Sequence, residues 1–435
     1  MRDNLKANDI LALGFMTFAF FLGAGNLIFP PQAGLLAGEH MFSGMLGFLI
    51  TAVGLPLIGI IAIAVSGGCW KGLTRDLPVS VATLMAVLIF IIIGPAFAAP
   101  RAGLVAYEMG FKPFLSDESE LELVLFSISF FTIVMFLSLF EGKLIDTIGK
   151  LLTPILFVSL SILAISVIVN PLGDIGAAQG TYIDQAFTTG FLEGYNTMDT
   201  LAALMFGMLI VDVIRKKGIN SDAQTCRYLI LAGVIAAVGL TIVYVSLFYL
   251  GATASTVAIG ATNGGSILSS YVTVLFGSTG QIVLSTIIIL ACLTTVIGLV
   301  SACADYFSIL SDKFNYHQWV VILSIASAVV SNVGLTQLIA VSIPVLFCLY
   351  PVAIALIALT FLRSFMPNPI LTYRVVLGVS LMFTLIDAAK VGGVDMSMFS
   401  GLPLFNYGMV WLVPTLIAMI VMRFVDPKKC QSSYA

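Results

Sequence analysis

The chain has 435 residues, 60% of them hydrophobic and 9% charged, with 19 Lys and Arg against 22 Asp and Glu and a formal net charge of −3. A soluble domain carries about 25% charged residues, so this chain cannot clothe a water-facing surface, and most of its apolar area must meet lipid. There is no basic excess for a nucleic-acid backbone and two histidines are too few for most zinc patterns, which disfavours nucleic-acid binding and zinc catalysis.

A hydrocarbon core about 30 Å thick takes roughly 20 apolar residues per helix. Runs of that kind predict an all-α membrane protein with twelve transmembrane helices, at residues 10–36, 41–66, 78–99, 121–140, 150–169, 184–214, 228–250, 277–310, 318–332, 335–362, 370–389 and 407–423. The opening nine residues carry charges of both signs and no small-residue cleavage pattern follows them, so no signal peptide is expected. Cytoplasmic loops collect Lys and Arg. With the amino terminus inside, 16 of the 19 fall in inner segments and only Arg101, Lys112 and Lys390 fall outside. Both termini are therefore expected in the cytoplasm. No two of the six cysteines fall outside together, so no structural disulfide is expected.

In chain order, the first interruption is Gly23-Ala24-Gly25-Asn26, with Pro30 and Pro31 shortly after. Two glycines around one small residue can unwind a helix at membrane depth and turn amide N–H groups inward, a seat for a carboxylate. Close helix packing explains Gly-x-Gly equally well, but Asn26 and the prolines favour a break. The third span ends in Gly94-Pro95-Ala96-Phe97-Ala98-Ala99-Pro100-Arg101, where the prolines kink or end the helix and Phe97 is a packing residue or a substrate contact.

The second interruption is Gly194-Tyr195-Asn196-Thr197-Met198-Asp199, ahead of the run that stops at Arg215. Asn196 lies about 27 Å along a helix from that basic stop, and Asp199 lies deeper. An ionisable residue at that depth is a functional-site candidate; its structural role is to cap the helix that restarts there, and the two roles are compatible. The breaks head the first and sixth spans, five helices apart, so two five-helix units in succession must be inverted. In the eighth span, Thr294 and Thr295 either bond the carbonyl one turn back or offer two oxygens to a small hard cation, with the Ala291 carbonyl nearby.

FFLGAGNLIFPP (residues 20–31), GPAFAAPR (94–101) and GYNTMDTLAALMFG (194–207) make the whole chain resemble the bacterial branched-chain amino acid permeases, the leucine, isoleucine and valine:cation symporter family of the amino acid, polyamine and organocation superfamily. The resemblance implies a single LeuT-like domain over residues 1–435: a first inverted repeat at 7–180, a second at 181–363, and two additional helices with a tail at 364–435. A more distant likeness to the neurotransmitter:sodium symporters implies a sodium site made by carbonyls of Ala19, Leu22 and Ala291 and the hydroxyls of Thr294 and Thr295. The arginine that those symporters place before their Phe-Pro pair is missing here, so the outer gate must differ, with Arg101 as a candidate.

The expected function is cation-coupled import of leucine, isoleucine and valine by alternating access. The substrate carboxylate would take amides of Gly23, Ala24, Gly25 and Asn26, and its ammonium would face Gly194, Tyr195, Asn196 and Asp199. Sodium is the expected coupling ion, with proton coupling through Asp199 or Glu193 as the alternative. No other cofactor and no obligatory protein partner is expected, and the location is the bacterial inner membrane. A membrane-embedded enzyme is disfavoured, since neither His-Glu-x-x-His nor Gly-x-Ser-x-Gly occurs.

Overall fold

The computed structural model describes residues 4–115, 120–140, 153–258, 260–261 and 263–425. Arg2, Lys143, Lys150, Lys428, Lys429 and Cys430, which enter the orientation and cysteine arguments, lie outside the described residues. Among the described residues every regular element is helical. Seven helices are long and apolar enough to cross a membrane, or eight when the pair Tyr182–Thr197 and Asp199–Lys216, bent by 42°, counts as one span; Ala7–Phe21, Phe157–Val169, Tyr316–Ser331 and Leu412–Arg423 are shorter apolar helices. The chain is a helical membrane protein that crosses the bilayer several times.

We label the longer helices α1 (Ala7–Phe21), α2 (Ala24–Ala37), α3 (Met41–Leu49), α4 (Leu55–Val65), α5 (Val79–Ile91), α6 (Ala98–Val105), α7 (Glu120–Leu139), α8 (Thr153–Val169), α9 (Tyr182–Glu193), α10 (Asp199–Lys216), α11 (Asp222–Ala252), α12 (Gly264–Leu310), α13 (Tyr316–Ser331), α14 (Leu335–Leu362), α15 (Pro369–Val391) and α16 (Leu412–Arg423). Two expected boundaries are corrected and a third coincides with a corner. The third span does not stop at residue 99: the chain bends at Gly94 (φ −85, ψ −115), then continues as α6 and as wider turns to Phe111. Proline lacks the N–H that a helix start leaves unused, so Pro95 and Pro100 open the second segment as readily as they close the first. The expected start of the eighth span at residue 277 coincides with a corner in α12 at Gly277 (φ 62), a conformation that glycine adopts without steric cost, and a further helical stretch from Gly264 precedes it. The last helix begins at Leu412 rather than 407, since Leu404 and Gly408 are left-handed (φ 61 and 66).

α2 is held between α11 and α12, where small residues let backbones meet. A Cβ on Gly251 of α11 would collide with the carbonyl of Pro31, and one on Gly264 of α12 with that of Ile28. Beyond the far end of α2, Glu39 N–H donates to Gly176 O at 2.9 Å and Gln179 N–H to Leu36 O at 2.8 Å. At its opposite end the bundle is tied by Lys217 to Asp9 at 3.8 Å and by Leu5 N–H to the Tyr228 hydroxyl at 3.0 Å. These ties fix where the ends of α1, α2, α10 and α11 lie, and so where the interruptions in α1–α2 and α9–α10 meet.

Candidate substrate and cation site

At the end of α1 the helical hydrogen-bond ladder fails. Gly23 N–H, which a continuing helix would give to Ala19, turns back to Phe21 O at 2.7 Å. The Ala19 carbonyl is thereby released, and the Leu22 carbonyl (φ −71, ψ 75) leaves the helical direction. The Thr295 hydroxyl, reaching across from α12, stands 3.1 Å from Ala19 O and 3.3 Å from Leu22 O. The approach is close at Gly23, where a Cβ would lie 3.1 Å from Thr295 Cγ2. Thr294 donates to Ala291 O at 2.9 Å, the backward bond ordinary for a membrane-helix threonine.

Three oxygens thus meet where the Thr295 hydroxyl of α12 reaches the negative end of α1. All three are neutral and hard, the kind of oxygen an alkali cation prefers, and the hydroxyl donates to the two carbonyls here. Among the described residues no cluster of His, Cys, Asp or Glu suits a transition metal. Of the sequence-predicted set Ala19, Leu22, Ala291, Thr294 and Thr295, the structure brings Ala19, Leu22 and Thr295 together, while Thr294 and Ala291 bond to each other within α12.

Past the gap, α2 starts at Ala24 with Gly23 as its extended N-cap (φ −106, ψ −163), so the amides of Ala24, Gly25 and Asn26 have no partner within the helix. The prolines do not make this break: Pro30 and Pro31 lie inside α2. The other interruption falls at Met198, which is left-handed (φ 64, ψ 8) and 1% exposed. A buried non-glycine residue held there costs of order 1–3 kcal/mol and persists only where its surroundings impose it. The expectation that Asp199 caps the restarting helix is corrected: Asp199 is the first helical residue and Met198 occupies the cap without a side-chain bond. Asp199 Oδ2 instead accepts from Asn26 Nδ2 and from the Tyr244 hydroxyl, each at 2.7 Å, and Asn26 is also bonded to Tyr244. This network joins the second half of one interrupted helix to the second half of the other.

Between the two interruptions lies a cavity of about 30 Å³, room for a water or two and too small for a leucine side chain. Its polar lining is Gly23, Ala24, Gly25, Asn26, Arg101, Thr197, Asp199 and Thr295, and its apolar wall includes Phe20, Phe21, Ile93, Phe206 and Leu299. Phe206 stacks on Phe20 with centroids 5.2 Å apart and meets Phe21 edge-on at 5.5 Å.

Four of the residues predicted to touch substrate are not part of this lining. Gly194 packs against Thr51, where a Cβ would stand 2.7 Å from the threonine Cβ, Tyr195 stacks on Tyr350 at 4.4 Å, and Asn196 donates to Glu193 Oε2 at 2.9 Å. The tight turn over Gly194–Thr197 carries these side chains toward α3, α9 and α14. Phe97, at the start of α6, gives way in the lining to Ala98, Arg101 and Ala102 one turn on.

Arg101 is the main residue that the charge count misplaced: it is 3% exposed and faces this cavity rather than the outside. A signal existed, since it is the only charged residue between Asp76 and Glu108, and an isolated charge in a long apolar run marks a functional site. Tyr244 and Phe206 carry no such signal among many aromatic residues.

A family model described as branched-chain amino acid transport protein matches residues 6–429. The chain belongs to that family. It is 45% identical over 426 residues to the branched-chain amino acid transport system 2 carrier protein of Pseudomonas aeruginosa, covering 97% of each chain. It is 42% identical to the branched-chain amino acid permease BrnQ of Escherichia coli K12, covering 97% of this chain and 96% of that one, and 41% identical to the permease BraB of Bacillus subtilis, covering 99% of each. These relatives are carriers and permeases, so the family member described here is a transporter and not an enzyme.

Among solved structures, the chain resembles a nucleobase-cation-symport-1 family transporter in a closed conformation with bromovinylhydantoin bound (TM-score 0.58, 14% identity, 98% of this chain and 96% of that one). It also resembles a sodium-coupled sialic acid symporter in a substrate-bound outward-open state (TM-score 0.60, 14% identity, 96% and 90% covered). At that identity the likeness extends to the fold alone, and the fold of these transporters is LeuT-like.

Proposed function

We propose that this family member is a sodium-coupled symporter that imports leucine, isoleucine and valine across a bacterial inner membrane by alternating access. In this reading it spans the membrane twelve times: α1–α2, α3–α4, α5–α6 and α9–α10 each form one span, and the remaining long helices form one apiece. Residues 7–180 and 181–363 form inverted repeats, 364–435 adds two helices and a tail, and both termini are cytoplasmic. The contacts of Asp9 with Lys217 and Leu5 with Tyr228 support this, because they join segments that the positive-inside rule assigns to one side.

The observation that carries the proposal is the convergence of the two interruptions on one cavity, with the Thr295 hydroxyl against the released Ala19 and Leu22 carbonyls. Sodium binds those oxygens with Ala291 and Thr294. Within four residues of Leu22 the free amides of Ala24, Gly25 and Asn26 take the substrate carboxylate, and Asp199 faces the ammonium. The aliphatic side chain lies on Phe20, Phe21, Ile93 and Phe206. Each buried methylene contributes about 0.8 kcal/mol, which separates the three amino acids weakly and favours accepting all of them.

Coupling follows from adjacency. Cation and substrate share one loop, so each pins the end of α1 and the start of α2 in the arrangement that the other needs, and their joint occupancy shifts the population between outward- and inward-facing forms. A cavity of about 30 Å³ must widen to admit leucine, which requires α1–α2 and α10 to move relative to α6 and α12. The burial of Asp199 against Tyr244 and Asn26 favours a second reading, proton coupling with Asp199 or Glu193 as carrier. Labelled leucine uptake into proteoliposomes, with sodium and proton gradients imposed separately, decides: accumulation under the sodium gradient alone is expected, and accumulation under the proton gradient alone overturns sodium coupling.

A further inference from the structure

Arg101, near the start of α6, is 3% exposed and lines the cavity between the two interruptions. Its guanidinium lies over Phe29, 5.3 Å from the ring centroid, and its buried Nε has no hydrogen-bond partner. Among the described residues it forms no ion pair. A guanidinium does not shed its proton in a protein, and a buried charge without a counter-charge is strongly unfavourable.

The placement adds to that imbalance. A Cβ on Gly25 would stand 2.8 Å from Arg101 Nη2, so the guanidinium lies against the first turn of α2, where unpaired amides present the positive end of the helix. Two positive features abut here, and an anion between them would satisfy both. Asp199 lines the same cavity and is the counter-charge within it, but it makes no direct ion pair with Arg101, its Oδ2 being engaged by Asn26 and Tyr244.

We propose that Arg101 binds the carboxylate of an α-amino acid, together with the first amides of α2, while Asp199 faces the ammonium group of the same molecule. The proposal deepens the assignment of this cavity as the substrate site and rests on it. It also removes Arg101 from the outer-gate role, because the guanidinium stands at the level of the interruptions themselves. The ligand class follows from the chemistry: one positive and one negative group on a single carbon span a cavity with opposite charges, whereas a lone acid or a lone amine leaves one wall uncompensated.

The test uses the full-length purified protein in sodium-containing buffer and follows labelled leucine binding and ligand-induced thermal shift for the native chain, Arg101→Lys and Arg101→Gln. In Arg101→Gln the leucine Kd is expected to rise about a hundredfold or more, and in Arg101→Lys about tenfold, since lysine keeps the charge but loses the fork. Binding of 3-methylbutan-1-amine, which has no carboxylate, should weaken in neither variant and should tighten in Arg101→Gln, where the uncompensated positive charge is gone.

An Arg101→Gln protein of native thermal stability that binds leucine as the native chain does would overturn the proposal. Should that variant fail to fold, the native chain supplies the test: leucinamide, which keeps ammonium and side chain, should compete about a hundredfold more weakly than leucine, and equal competition overturns it. Native protein that binds some other α-amino acid from a panel of twenty, and not leucine, refutes the leucine reading only. The Arg101 comparison is then run with that ligand, and binding of none refutes both.

Discussion

Thr295→Val removes one hydroxyl from the proposed cation site and keeps the side-chain shape. In the cation-free protein the hydroxyl serves Ala19 O at 3.1 Å and Leu22 O at 3.3 Å, and losing this contact costs about 0.5–1.5 kcal/mol per hydrogen bond. In the cation-bound protein one of five oxygens disappears. The two costs partly cancel in the affinity, because carbonyls deprived of a donor are freer to approach a cation. The remainder is expected to be near 1.4 kcal/mol, about a tenfold rise in half-saturating sodium, with a larger rise when Thr294→Ala is added. The assay is sodium-dependent leucine uptake in proteoliposomes, with leucine held saturating. Unchanged half-saturating sodium in the Thr294→Ala, Thr295→Ala double variant refutes the cation site; in a second titration with leucine varied at saturating sodium, a change in leucine KM with no change in sodium dependence reassigns Thr295 to the substrate.

Asp199→Asn keeps the shape that Asn26 and Tyr244 hold at 2.7 Å but removes the charge, so leucine KM should rise by about tenfold or more; a variant that still concentrates leucine with native KM removes Asp199 from ammonium binding and from proton carriage together. Phe206→Ala deletes a ring that is 1% exposed and packed on Phe20 and Phe21, which should cost about 3–5 kcal/mol of stability and let phenylalanine compete with leucine; native discrimination against phenylalanine counts against this wall of the pocket. Gly251→Val drives a side chain into the Pro31 carbonyl of α2, so overpacking of about 1–3 kcal/mol or more should lower the melting temperature in detergent, and an unshifted melt means that α2 and α11 are not in this contact.

The interruptions were legible because helix-breaking and polar residues stand out against an apolar background: Gly23 to Asn26 and Tyr195 to Asp199 flank the points where the helices stop. Thr295, which meets the end of α1, stood out for the same reason, while Thr294 keeps the ordinary backward bond. Which side chains of a broken segment face inward was not legible, since that depends on the turn's geometry. The 3₁₀ turn over Gly194–Thr197 sends Tyr195 to Tyr350 and Asn196 to Glu193, and the left-handed Met198 leaves Asp199 facing Asn26. Arg101 was misplaced because a charge count treats every arginine as seeking water, whereas this one, alone in a long apolar run, is buried against an internal cavity.

The sequence by itself determined that lipid is the solvent, that the chain is helical, and where helices cannot continue. Those properties come from composition and from local backbone chemistry, and each residue carries its own share. The tertiary structure alone decided that the Ala19 and Leu22 carbonyls meet Thr295 from more than 270 positions away, that Asp199 is held by Asn26 and Tyr244, and that Arg101 shares their cavity. Such meetings are set by how α2 nests between α11 and α12 at a few small residues, and a single chain read in one dimension holds no record of that distance.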